Sequence, residues 1–78
     1  MDNLTYGQQK AGLSLQNTKT NTNDDVIETR IFFAKIFDKL DATRKIDDRE
    51  RERLTEIAID ETNASLRIAI RALTFGKH

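Results

Sequence analysis

At 78 residues the chain is one domain at most, and a domain this small hides a modest share of its surface unless disulfides, metals or self-association help. It has no Cys and its one His is the terminal His78, which excludes disulfides, thiolate metal sites, Ser-His and Cys-His nucleophile pairs and most transition-metal sites, so no metal or cofactor is expected. Thirteen basic residues balance 13 acidic ones and no stretch approaches the ~20 apolar residues of a membrane span, so neither nucleic acid nor membrane is an expected partner and a soluble, cytoplasmic protein is.

Residues 1–25 read as an extended or irregular leader, because Gly7, Gly12 and the run "QNTKTNTNDD" favour turns and local side-chain bonding over a helical ladder. A short helix within it is the alternative. Leu4, Tyr6, Leu13 and Leu15 give the leader apolar anchors that could lie along a helix pair or reach a neighbouring subunit, against a mobile leader with incidental hydrophobes.

The first long helix is predicted over 26–44, opening near Asn23 to Asp25, where short polar side chains can accept free N–H groups and acids suit the positive end. Val26, Phe32, Phe33, Ile36, Phe37 and Leu40 form a broad apolar arc; Ile27, Ile31 and Ala34 form a second one beside Arg30. The link "KIDD" leads to a second helix over 47–75, with Asp47 as its expected N-cap and Glu50 completing a capping-box pattern. Its first turns, "RERERLTE", read as a solvated, charged face.

This second helix is again apolar on two sides. Leu54, Ile57, Ala58, Ala64, Ile68, Ala69, Ala72 and Phe75 share one arc, Ile59, Leu66, Ile70 and Leu73 another, and the polar strip left between them holds Glu56, Asp60, Asn63, Arg67 and Arg71. A short link favours an antiparallel hairpin, in which each helix covers only one face of the other. The remaining arcs call for other copies of the chain, and Ala58, Ala64, Ser65, Ala69 and Ala72 would permit close approach. The expected fold is therefore an all-α antiparallel helical hairpin, one domain over 1–78 with an irregular or short-helical N-terminal segment, assembled as a homo-oligomer.

Chemistry is sparse. The pairs Asp24–Asp25 and Asp47–Asp48 sit at expected helix starts, where capping explains them, and no Gly-rich phosphate loop is present, so an enzyme is not expected. Glu61 falls inside an apolar arc and calls for a partner, either an intersubunit ion pair or hydrogen bond or a ligand. Asn63, Arg67 and Arg71 rise one turn at a time, a line of donors suited to phosphate oxygens, although Asp60 and Glu56 could balance them as a solvated strip. Arg30 at the edge of two apolar arcs needs an anion: Glu61 or something bound.

Three stretches, "YGQQKAGLSL" at 6–15, "RIFFAKIFDKLD" at 30–41 and "IAIDETNASLRIAIRALTF" at 57–75, together resemble the small phage proteins that share the helical hairpin of the anti-CBASS and anti-Thoeris nucleotide sponges. The resemblance covers most of the chain. It implies a non-enzymatic, phage-encoded immune-evasion protein of the host cell cytoplasm. Such a protein sequesters cyclic di- or trinucleotides or cyclic ADP-ribose isomers without cleaving them, and is built as a homohexamer, a trimer of dimers. It further implies that Tyr6 stacks on a base and Arg30 holds phosphate, with Lys10 beside them, and that Asn63 and Arg67 of the last helix serve a second pocket. Ile59 stands where some sponges place a basic pocket residue, and Ile68 where many members of that family place a large aromatic. Two rivals remain at this stage: a structural or regulatory oligomerisation module without a small ligand, and a nucleic-acid regulator using a local basic patch of Arg49, Arg51, Arg53, Arg67 and Arg71.

Overall fold

The computed structural model describes residues 3–15, 24–45 and 47–76. The polar run at 16–23, which the sequence reading assigns to the leader, the link residue Ile46 and His78 lie outside them. The described residues form α1 (Tyr6–Lys10), α2 (Asp25–Arg44) and α3 (Arg49–Thr74), with no strand among them, so the protein is all-α.

Each start is written in short polar side chains. Asp24 opens α2 by accepting the N–H groups of Val26 at 2.9 Å and Ile27 at 3.2 Å. At α3 the cap is Asp48 rather than the expected Asp47: its carboxylate accepts from the amides of Glu50 at 3.1 Å and Arg51 at 3.2 Å. The residue three beyond the cap is then Arg51, which cannot close a capping box, and Glu50 instead pairs with Arg53 at 2.8 Å.

The leader is not extended throughout. Thr5 caps α1 in a reciprocal box, accepting from the Gln8 amide at 3.1 Å while its own N–H donates to Gln8 Oε1 at 2.8 Å. Past the helix, Gly12 takes φ +82°, and the amides of Gly12 and Leu13 bond back to the carbonyls of Gln9 and Gln8 at 3.1 and 3.0 Å. This is a Schellman stop, and the residue that follows the glycine, Leu13, is buried as such motifs favour. Of the four expected anchors, Leu13 joins the core, Tyr6 packs at its edge and Leu4 is half-buried, but Leu15 is exposed.

α1 rests on α2, and α2 runs antiparallel to α3, so that Arg44 near the end of α2 reaches Glu56 near the start of α3 at 2.9 Å. The buried core is small: Ala11, Leu13, Ala34, Phe37, Ile59 and Leu66, ringed by Tyr6, Ile27, Ile31, Phe33, Leu40 and Ile70. Buried Thr55 satisfies its hydroxyl on the Arg51 carbonyl at 2.7 Å. The smaller apolar arc of α3 thus faces α2, and the larger arc, with Leu54, Ile57, Ile68 and Phe75, is exposed.

The result is a thin slab of 45 × 33 × 12 Å, thinner than the roughly 13–15 Å that two stacked helix layers need between Cα positions. Its accessible surface, 5982 Å², exceeds the roughly 4,900 Å² of a compact monomer of this mass.

Candidate functional site

Antiparallel pairing sets the first half of α2 beside the second half of α3, and the Schellman stop brings the end of α1 to the same place. There Lys10 from α1, Arg30 from α2, and Asn63, Arg67 and Arg71 from α3 line one groove of about 340 Å³, floored by Leu66 and Ile70. Lys10 and Arg30, expected in one pocket, and Asn63 and Arg67, expected in a second, therefore line the same groove. Arg71, one turn beyond Arg67 on the same strip, completes it.

The local reasons are plain. In α3 the positions 63, 67 and 71 advance by four, about 6 Å of rise per step along one side of the helix, while 66 and 70 turn inward beside them. Leu66 is 3% exposed and supplies an apolar floor; the cations stand on the rims with Lys10, Arg67 and Arg71 exposed and Arg30 half-buried. A groove of this size falls within the ~300–1,000 Å³ of ordinary small-molecule sites.

Electrostatics sharpen the picture. Among the described residues no carboxylate forms an ion pair with Lys10, Arg30, Arg67 or Arg71. The expected balance of Arg67 and Arg71 by Asp60 and Glu56 is absent there, since Glu56 pairs with Arg44. Four like charges around one apolar floor repel one another, and an anion placed among them relieves that repulsion while accepting several charge-assisted hydrogen bonds.

Of the two partners its position called for, Arg30 does not meet Glu61. Its Nη1 donates to the Ala11 carbonyl at 2.8 Å, the last acceptor of α1, and this is the one hydrogen bond its guanidinium makes among the described residues. An arginine carries five donors, so four N–H groups are left for the groove. Gly12 suits the adjacent position because its φ is positive, and a Cβ there would in addition push the same Nη1 aside. Glu61 lies elsewhere: it is exposed and lines a shallow groove with Phe33, Ile36, Ala58, Thr62 and Ser65.

Tyr6 is not brought to the cationic groove. Its ring lies under the Arg44 guanidinium, 5.0 Å from the ring centre. Arg44 is held there by Glu56 and by Asp41 one turn back, and these hydrogen bonds raise its pKa further above the usual arginine range. The Arg44 bond, with Lys45 at 3.4 Å in support, holds the Asp41 carboxyl below its ordinary value against the opposing effect of burial. Ile59 is 2% exposed and packed in the core, whereas Ile68 is on the outer face.

Sequence reasoning did not single out Asp38. Its Oδ1 accepts the Gly7 amide and its Oδ2 the Thr5 hydroxyl, both at 2.7 Å, so one carboxylate clasps the start of α1 to α2. Gly7 allows the approach: a Cβ there would run into the Ala34 carbonyl and lie 2.8 Å from Asp38. The small pair Gly7 and Ala11, four apart on one side of α1, was the available signal for a helix seated tightly on another.

Comparison of the chain with protein-family profiles, with curated proteins and with solved structures finds no match.

Proposed function

We propose that this protein is a non-enzymatic sponge for cyclic nucleotides, the phage immune-evasion role that its resemblance to anti-CBASS and anti-Thoeris proteins implies. The observation that carries the proposal is the groove in which Lys10, Arg30, Arg67 and Arg71 surround the Leu66–Ile70 floor with Asn63 among them and, among the described residues, no carboxylate paired to any of the four. Phosphates of a cyclic di- or oligonucleotide would take the guanidinium and ammonium donors, and the floor would take a sugar or base face. Asn63 offers both a donor and an acceptor and so suits a base edge. Charge-assisted hydrogen bonds at ~1.5–3 kcal/mol each, three or four of them, supply a large part of the ~12 kcal/mol net that nanomolar affinity needs before ordering costs.

The resemblance assigns base stacking to Tyr6. Within one protomer Tyr6 belongs to the Arg44 cluster, so its contribution would be to a second, separate contact, or to a pocket completed by another copy of the chain. A homo-oligomer, with a hexamer favoured, is part of the proposal, and the exposed arc of α3 supports it.

That same arc favours a second reading, a helical oligomerisation module that binds no small ligand. Calorimetric titration with a panel of cyclic di- and trinucleotides and cyclic ADP-ribose isomers, followed by heating to release and identify the ligand, separates the two. Saturable binding with intact ligand recovered is expected for the sponge. Altered ligand would mean an enzyme, and a panel without any binder would leave the oligomerisation module.

A further inference from the structure

α1 is tied to the hairpin at both ends, and its two ties differ in kind. At the start, Asp38 grips the Thr5 hydroxyl and the Gly7 amide at 2.7 Å each, a contact remote in sequence from every groove residue except Lys10. At the end, the Ala11 carbonyl takes Nη1 of Arg30 at 2.8 Å, and Lys10, the last residue of the helix, lines the groove. The groove therefore borrows two of its four cations from the seating of α1: Lys10 directly, and Arg30 through the carbonyl that fixes its guanidinium.

We infer that α1 is a strap that completes the anion groove when seated, and that Asp38 is a positioning residue which sets anion affinity by clasping it, without touching the ligand. This rests on the anion-binding reading of the groove. A five-residue helix has too few internal hydrogen bonds to persist alone, so its position is decided by what it rests on: Ala11 and the following Leu13 in the core, Gly7 against Ala34, and these two ties, of which the Asp38 clasp is the one that can be removed without opening the core. Unseating it withdraws Lys10 and frees Arg30 to turn away. Because the coupling is reciprocal, an anion in the groove also holds the strap down.

The test is calorimetric titration of the full chain with cyclic di-GMP and with inorganic pyrophosphate, for the wild type and for Asp38→Asn, Lys10→Ala, Arg67→Ala and the Asp38→Asn/Lys10→Ala pair, with amide exchange at residues 6–13 followed in parallel. Asp38→Asn is expected to weaken binding roughly tenfold, within the usual range of such couplings, and the double variant to bind little worse than Asp38→Asn alone. Bound ligand should slow exchange of the α1 amides in the wild type. Thr5→Val removes one of the two Asp38 contacts together with the hydroxyl that caps α1, leaves the Asp38–Gly7 bond in place, and serves as the second variant if Asp38→Asn does not fold. Should Arg67→Ala lose affinity while Asp38→Asn and Thr5→Val bind as the wild type does, the groove binds anions and the strap is refuted. Fully additive losses in the double variant would refute it as well. If the wild type binds neither probe nor any member of the cyclic-nucleotide panel, the anion-binding reading falls and the strap with it; if a panel member binds instead, the same variants are read with that ligand.

Discussion

Arg30 does two jobs with one guanidinium, and its substitution should separate them. Arg30→Ala removes a groove cation and the Ala11 carbonyl's partner together, so ligand affinity should fall about 10–100-fold while the subunit mass in light scattering stays unchanged. Dissociation of that variant would instead place Arg30 in a subunit contact. Gly7→Ala forces a methyl against the Ala34 carbonyl and should cost about 1–3 kcal/mol, read as a lower melting temperature and faster exchange in α1. Asp41 contributes through ionisation. Its folded-state pKa lies below that of the unfolded chain because Arg44 bonds the carboxylate, so its stabilising contribution is present above the ordinary aspartate range near pH ~4 and is lost as pH falls through the depressed value. Asp41→Asn should therefore lower the melting temperature at neutral pH and flatten its decline in acid. Part of this scale was open to reading in advance: Asn63 and Arg67, one turn apart, read as donors suited to an anion or to a solvated strip, and Arg30 as a cation in need of a partner. Arg30's actual acceptor was not readable, since a backbone carbonyl of a short helix has no residue type to announce it.

Among the elements, periodicity and polar caps locate α2 and α3 to within a residue or two of their observed bounds, because both helices are long enough for a 3.6-residue repeat to show. α1 escapes that repeat with five residues, and its glycines look like breakers. The signal it does carry is the capping pattern at 5–8, Thr followed three later by Gln, and the glycine one past its end. Which arc of α3 turns inward was equally hidden. Both are apolar, and the smaller arc wins because Ile59, Leu66 and Ile70 mesh with Phe37 and its neighbours, leaving the alanine-rich arc outside. The charge pattern at the groove has an element-level cause too: 63, 67 and 71 are forced onto the flank between the two arcs. Ile68 is 67% exposed in the protomer, so Ile68→Arg leaves the fold intact by circular dichroism and, on the proposal of self-association, should dissociate the assembly in light scattering. An unchanged mass would remove α3's outer arc from the subunit interface.

At the scale of the whole molecule, a slab 12 Å thick has two broad faces and little interior, and its radius of gyration of 13.8 Å exceeds the roughly 11.5 Å of a compact chain this long. One flank gathers, about an apolar floor, cations that no carboxylate pairs among the described residues, and the outer arc of α3 presents the exposed hydrophobes Leu54, Ile57, Ile68 and Phe75. The proposal gives each an occupant, an anionic cyclic nucleotide for the first and other copies of the chain for the second. Both occupants can be read in one experiment, because the chain has a single Tyr and no Trp and so barely masks the absorbance of nucleotide bases. Sedimentation velocity of the protein mixed with the tightest-binding cyclic nucleotide, followed at the base absorbance, should show the nucleotide travelling with a particle whose mass is a multiple of 9.0 kDa. Nucleotide left behind in the solvent, over a folded protein sedimenting as a single 9.0 kDa chain, would contradict it.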